Sequence, residues 1–239
     1  QLIHCDGDKV VARNTRFISR LNLCPFVGGK RVLFDRCHFE STDDALCGTG
    51  VYLNSTFDFY SSKPFYYTRG TGAILLNCDI HAQTRGAQYF VKAGGQLAVV
   101  DTRFRADDDN LYIGWQHLPP PETRNYQFGN SINGRRLSIG PNDPNCTVDM
   151  TGKSLLDAYR ILEGDAGLYN SYNLLKGDDD WDPMRIKSRV LRAEQEQGKR
   201  FTGLPTQLLL HADRDSLETG KDTALLSVQL LCFDNVEIN

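Results

Sequence analysis

Long apolar runs are missing from these 239 residues: none approaches the roughly 18 residues that a membrane-spanning helix needs. An excess of either charge is missing too. Lys and Arg number 27 against 30 Asp and Glu, a formal net charge of −3, so no general electrostatic pull toward nucleic acid or an anionic membrane exists. The seven cysteines (Cys5, Cys24, Cys37, Cys47, Cys78, Cys146 and Cys232) contain no C-x-x-C pair and no metal-finger spacing. Their odd number leaves at least one thiol unpaired. There is no Gly-rich phosphate loop and no G-x-S-x-G elbow. The five histidines, at 4, 38, 81, 117 and 211, supply no pair with metal-ligand spacing on one element. We therefore expect no metal and no cofactor. With 40% hydrophobic and 24% charged residues, the composition excludes a disordered chain, a collagen and a coiled coil.

What the sequence does have is a repeat. VVARNTRF (10–17), VLFDRCHF (32–39), GVYLNSTF (50–57), AILLNCDI (73–80) and LAVVDTRF (97–104) share one pattern. Apolar residues lead to a polar corner, then a small residue, then any residue, then Phe or Ile. The small residues Thr15, Cys37, Ser55, Cys78 and Thr102 follow one another at 22, 18, 23 and 24 residues. That interval is too short for a propeller blade, and helix-length apolar periodicity is absent. A parallel β-solenoid satisfies it. Phe17, Phe39, Phe57, Ile80 and Phe104 then form one interior ladder, and the five small residues a second. Asn14, Asn54 and Asn77 mark the corner, where Asn tolerates a left-handed backbone. Cys37 and Cys78 are expected to be buried and inert, two rungs and about 10 Å apart, too far for a disulfide.

One rung cannot bury its own apolar side, and the first residues already read as strand, so further rungs are expected ahead of Gln1. YQFGNSI (126–132) is expected to be a sixth rung. Beyond it, TGKSLLDAYRILE (151–163) reads as a helix. MRIKSRVLRAEQEQ (184–197) reads as another, with Asp182 at its N-cap and Pro183 at its first position. Strand patterns resume at TQLLLHA and ETGKDTALLSVQLLCF. The expected organisation is an all-β solenoid over 1–148, a helical cap or linker over 149–202, and the start of an Ig-like β-sandwich over 203–239.

On a solenoid, chemistry belongs to outward positions that stack from rung to rung. Five residues beyond the ladder positions stand Asn22, Asp44, Arg85 and Asp109, with Asn22 and Asp44 expected about 5 Å apart. His38 is expected to face outward beside Asp79 as an ordinary surface residue.

These residues carry a resemblance. QLIHCDGDKVVARNTRF resembles the pectin methylesterase segment that opens on a catalytic Gln and passes through a D-G-D-[KR]-[VA] turn. ESTDDALCG (40–48) resembles that family's G-T-V-D-F-I-F-G motif, and YIGWQ (112–116) its Y-L-G-R-P-W. The resemblance covers about residues 1–135. The tail, from LYNSYNLLKGDDDWDP onward, resembles an extension of gut-bacterial polysaccharide-degradation proteins. The resemblance implies a right-handed parallel β-helix of the pectin lyase-like type. It further implies a secreted, periplasmic or cell-surface place and an acidic, pectin-like plant polysaccharide as partner.

The family's reaction uses an Asp nucleophile, a second Asp as acid and base, two Gln oxyanion donors and an Arg beside the nucleophile. Carried over by position, Asp44 is the nucleophile and Gln1 an oxyanion donor. The Q-D-T motif falls on Leu21-Asn22-Leu23, where Leu21 cannot donate and Asn22 cannot transfer a proton. The Arg falls on Trp115. Losing an acid–base group costs about 10²–10⁴ in rate and an oxyanion donor about 10²–10³. Two other readings therefore stand beside ester hydrolysis. One is a β-helix that only binds the polysaccharide, through Trp115, Tyr112 and other Tyr as stacking faces and Arg85 as a uronate partner. The other is a β-helix glycoside hydrolase using carboxylates such as Asp44 and Asp109.

Overall fold

The computed structural model describes residues 4–5, 7–19, 27–28, 30–41, 46–91, 97–116, 125–143, 147–149, 175–198 and most of 207–231. The chain divides into two compact units: residues 1–151 with 162–169, and residues 152–161 with 170–239.

The first unit is a right-handed parallel β-helix. Its strands come in successive rungs. The first rung holds β1 (His4–Cys5), β2 (Val10–Arg13) and β3 (Arg16–Ser19), and the second β4 (Val27–Gly28), β5 (Val32–Asp35) and β6 (His38–Ser41). The third holds β7 (Leu46–Leu53) and β8 (Thr56–Phe59), and the fourth β9 (Phe65–Leu76) and β10 (Asp79–Ala82). The fifth holds β11 (Ala87–Val91), β12 (Leu97–Val100) and β13 (Arg103–Ala106), and the sixth β14 (Tyr112–Gln116), β15 (Asn125–Phe128) and β16 (Ser131–Ile132). Arg135–Arg136 (β17) folds back antiparallel on β16, and Thr147–Asp149 (β18) adds parallel to β15.

Like strands stack on like. One face runs β2-β5-β7-β9-β12-β15-β18, and a second runs β3-β6-β8-β10-β13-β16. On a third side β1 pairs β4, and β11 pairs both β14 and the start of β9. The long strands β7 and β9 turn from the third side onto the first, with register shifts between Leu46 and Gly50. Gly50 sits at that bend with φ +136°, and a Cβ there would meet the Val32 carbonyl oxygen at 3.2 Å. Only glycine fits such a backbone comfortably.

The expected ladders are present. Phe17, Phe39, Phe57, Ile80 and Phe104 are register partners in succession, and Ile132 extends the column. Phe39 lies flat between Phe17 (centroids 5.1 Å apart) and Phe57 (5.1 Å), with Phe34 and Tyr52 edge-on to it. The small-residue column is a hydrogen-bond device as well as a packing one. Cys37 N–H donates to Ser55 Oγ, Cys78 N–H to Thr102 Oγ1, and Thr102 N–H to Asn130 Oδ1. A side-chain oxygen of the next rung thus answers a buried amide at each of these steps. The corner residues Asn14, Arg36, Asn54, Asn77 and Asp101 all have φ between 46° and 53°, and Gly129 continues them at 66°. Asn suits this corner twice over, because Asn77 Nδ2 also donates to Asn54 Oδ1 at 2.7 Å.

Cys37 and Cys78 are free and buried. Burial pushes the Cys78 thiol up to about 12 and raises Cys37 in the same direction. A thiol whose folded pKa is raised keeps its proton while the unfolded one ionises. Its stability contribution is therefore whole below about pH 9 and is lost as pH climbs toward 12. Peptide mapping after alkylation at pH 8.5 is expected to find Cys37 and Cys78 unlabelled in the native protein and labelled after denaturation. Rapid native labelling of Cys78 would contradict its place in the ladder.

In the second unit, Ile186–Gln197 forms a helix (α1). It begins later than the sequence suggests, because Arg185 occupies the N-cap with φ 54°. Asp182 still serves the helix start: its Oδ2 accepts from Lys187 N–H at 2.8 Å. Gln207–Ala212 (β19) and Leu226–Leu231 (β20) make a two-stranded antiparallel ladder. The expected helix at 151–163 lies outside the described residues. Among those described, no helix is long and apolar enough to cross a membrane.

Candidate functional site

On the second face, alternation sends Phe17, Phe39, Phe57, Ile80 and Phe104 inward, so their neighbours project outward. Two outward columns result. Arg16, His38, Thr56, Asp79 and Arg103 form one, and Ile18, Glu40, Asp58, His81 and Arg105 the other. Between them opens a groove of about 330 Å³, lined among others by His38, Thr56, Asp58, His81, Arg103 and Arg105.

The polar contacts run across rungs. Arg103 grips Asp79 through two nitrogens, at 2.6 and 2.8 Å, and reaches Asn77 Oδ1 at 2.8 Å. His38 Nδ1 meets Thr56 Oγ1 at 2.8 Å, and its Nε2 lies 3.3 Å from Glu40 Oε1 and 3.6 Å from Asp58 Oδ2. His81 Nδ1 lies 3.2 Å from Asp58 Oδ1 and 2.8 Å from Arg105 Nη2, and its Nε2 2.9 Å from Asp107 Oδ1. The hydrogen bond from His81 holds the exposed Asp107 carboxyl below its ordinary range, with the nearby charges of His81 and Arg105 adding to it. Asp108 is lowered too, because its carboxylate accepts from the backbone amides of Gly86 and Asn110. The acidic turn 107–109 is therefore a built connection from the second face to the third side.

Along that connection, Tyr112 N–H donates to the Gly86 carbonyl. The Tyr112 ring is 45% exposed, edge-on to Tyr89 and close above Gly140, where any side chain would collide with its hydroxyl. Arg85 is exposed and stands near Asp108. Partners differ by 24 between β10 and β13 (Ile80 and Phe104) and by 25 between β11 and β14 (Ala87 and Tyr112), so the turn before β14 holds one residue more than the turn before β11. Within it Asp108, whose carboxylate accepts from Gly86 N–H, is the acid beside Arg85. Asp109 instead accepts from Asn133 Nδ2 at 3.2 Å.

Trp115 is not a stacking face. It is fully buried, 6.1 Å from Phe90 in the core, and its indole N–H donates to Thr147 Oγ1 at 3.0 Å. Alternation along β14 from exposed Tyr112 sends Ile113 and Trp115 inward, which is the physical reason. Gln1, Asn22 and Asp44 lie outside the described residues. The grouping of His38, Glu40 and Asp58 escapes the sequence reading: their ligand atoms all fall within 4.8 Å of one another. The available signal is H-x-E on one strand with an acid at Glu40's register position in the next rung. It becomes visible only once the Phe ladder fixes that register.

No family model, curated protein or solved structure matches this chain.

Proposed function

We propose that the chain is a pectinesterase-like β-helix that recognises a pectin-type acidic polysaccharide along the outside of its rungs. The observation that supports this reading best is the exposed Tyr112, whose N–H is bonded to the carbonyl of Gly86, the chain neighbour of the exposed Arg85. An exposed aromatic ring offers a sugar an apolar platform, and a guanidinium pairs with a uronate carboxylate. A parallel β-helix repeats its outward positions every 4.8 Å or so, which suits an extended polymer. Such a polymer implies a secreted, periplasmic or cell-surface location.

Ester hydrolysis is the reaction the resemblance adds. The Asp44 carboxylate adds to the ester carbonyl, Gln1 donates to the oxyanion, and the bond to methoxide breaks, with a water giving the proton that Asn22 cannot. The hydroxide left behind hydrolyses the Asp44 anhydride and restores the carboxylate. Binding without turnover is the second reading. The burial of Trp115 favours it, since this residue stands where the family places the Arg that orients its nucleophile.

One experiment separates them: methanol release from highly methylesterified pectin, alongside retardation in pectin-containing gels. Tyr112→Ala is expected to weaken retardation about tenfold, equivalent to about 1.4 kcal/mol. Release that Asp44→Ala abolishes establishes the esterase. Retardation without release leaves a binding module, and neither would remove pectin from the account.

A further inference from the structure

That reading leaves one surface cluster without a task. His38 and Glu40 stand two apart on β6 and project from the same side of the sheet. Asp58 on β8 is the register partner of Glu40. His38 Nε2 lies 3.3 Å from Glu40 Oε1 and 3.6 Å from Asp58 Oδ2. Two ligand atoms each about 2.1 Å from one ion at a tetrahedral angle are about 3.4 Å apart. Both distances from His38 Nε2 are therefore those of donors sharing one cation, and the three ligand atoms all lie within 4.8 Å of one another.

Ordinary pairing does not account for Asp58. Its oxygens meet two imidazole nitrogens, His38 Nε2 for Oδ2 and His81 Nδ1 for Oδ1, and no Lys or Arg among the described residues pairs with it. The His81 nitrogen also receives Arg105 Nη2 at 2.8 Å. Arg105 and Asp107 thus share the His81 ring with Asp58, and a cation between Asp58, Glu40 and His38 gives the Asp58 carboxylate a charge partner of its own.

The remaining features agree. His38 Nδ1 is held by Thr56 Oγ1 at 2.8 Å, the outer contact that orients a metal-bound imidazole. The three residues are half-buried, and His38 and Asp58 line the groove, which leaves a further coordination position open. Arg16 reaches Glu40 Oε1 only at 3.4 Å from a mostly exposed side chain, a contact that a divalent ion displaces. One nitrogen with carboxylate oxygens and no sulfur suits zinc or manganese, whereas calcium favours an all-oxygen shell. We propose that His38 Nε2, Glu40 and Asp58 form a binding site for a divalent transition-metal ion of the zinc class, open to the groove.

The test uses the full chain, stripped with a chelator, and titrated calorimetrically with zinc chloride and separately with manganese chloride at pH 7.5. One ion per chain is expected. Affinity should fall at least about 100-fold in Asp58→Asn and in Glu40→Gln, and about tenfold in Thr56→Val, the size typical of an outer contact. His211→Ala, an exposed histidine on β19, should change nothing. No saturable uptake, or uptake that survives both carboxamide changes, overturns the site. If either carboxamide variant loses its sheet signal in circular dichroism, Thr56→Val decides: a tenfold loss supports the site, and unchanged affinity refutes it.

Discussion

Phe39→Ala is expected to destabilise the β-helix by about 3–5 kcal/mol, read as a fall in the urea midpoint of the full chain. The ring is fully buried, stacked between Phe17 and Phe57, and touched edge-on by Phe34 and Tyr52. Four aromatic neighbours cannot all move in, because each is itself fixed by its rung. The lost transfer energy is therefore joined by the cost of an unfilled cavity. Spatial distribution is part of the expectation. In a stack whose rungs touch only their neighbours, the damage stays local. Amide exchange should quicken first in β3, β6 and β8 and last in β13 and β16. A loss under about 1 kcal/mol, or exchange that quickens evenly, would mean that the Phe column does not hold the rungs together.

The second large effect concerns a charge. Asp35 is fully buried in the first face, and neither of its carboxylate oxygens has a hydrogen bond. Arg36 Nη2 lies 2.9 Å from Oδ2 and Arg13 Nε 3.5 Å, so the compensation is Coulombic, from guanidinium groups that are half exposed. Its column reads Arg13, Asp35, Leu53, Leu76 and Val100 in register order. Removing both cations by Arg13→Ala with Arg36→Ala leaves a buried carboxylate alone and is expected to cost about 3–5 kcal/mol. Asp35→Leu instead prolongs the leucine column and is expected to be neutral or to stabilise by about 1–4 kcal/mol. The opposite signs are the test. Both variants losing stability equally in urea denaturation would show that Asp35 makes a stronger bond than its geometry suggests.

The ladders are legible in the sequence because they are local rules repeated. A small residue, a spacer and Phe recur, and each rung needs the same left-handed corner before them. Asn14, Asn54 and Asn77 announce that corner, but Arg36 and Asp101 occupy it without such a signature. The site is less legible, since it depends on distances between rungs. His38, Glu40 and Asp58 meet only through a register that no single segment encodes. Counting from the ladder does not find Asp108 beside Arg85, because the turn before β14 is one residue longer than the turn before β11 and no ladder constrains the count there. Trp115 takes its expected role from a motif, although the alternation of its own strand points it inward. A motif taken over from a family names a position, and the pleat decides which way it faces.

The unequal rungs have a mechanical consequence. Between the small-column residues Thr15, Cys37, Ser55, Cys78, Thr102 and Asn130 the chain travels 22, 18, 23, 24 and 28 residues. Pulled from its ends, a stack of this kind yields one rung at a time, because the strands of each rung are bonded only to those above and below. An extended chain spans at most about 3.3–3.6 Å per residue. The shortest rung therefore releases about 60 Å of chain and the longest about 100 Å. The molecule is a ruler with uneven graduations, and the length of each released step names the rung that let go.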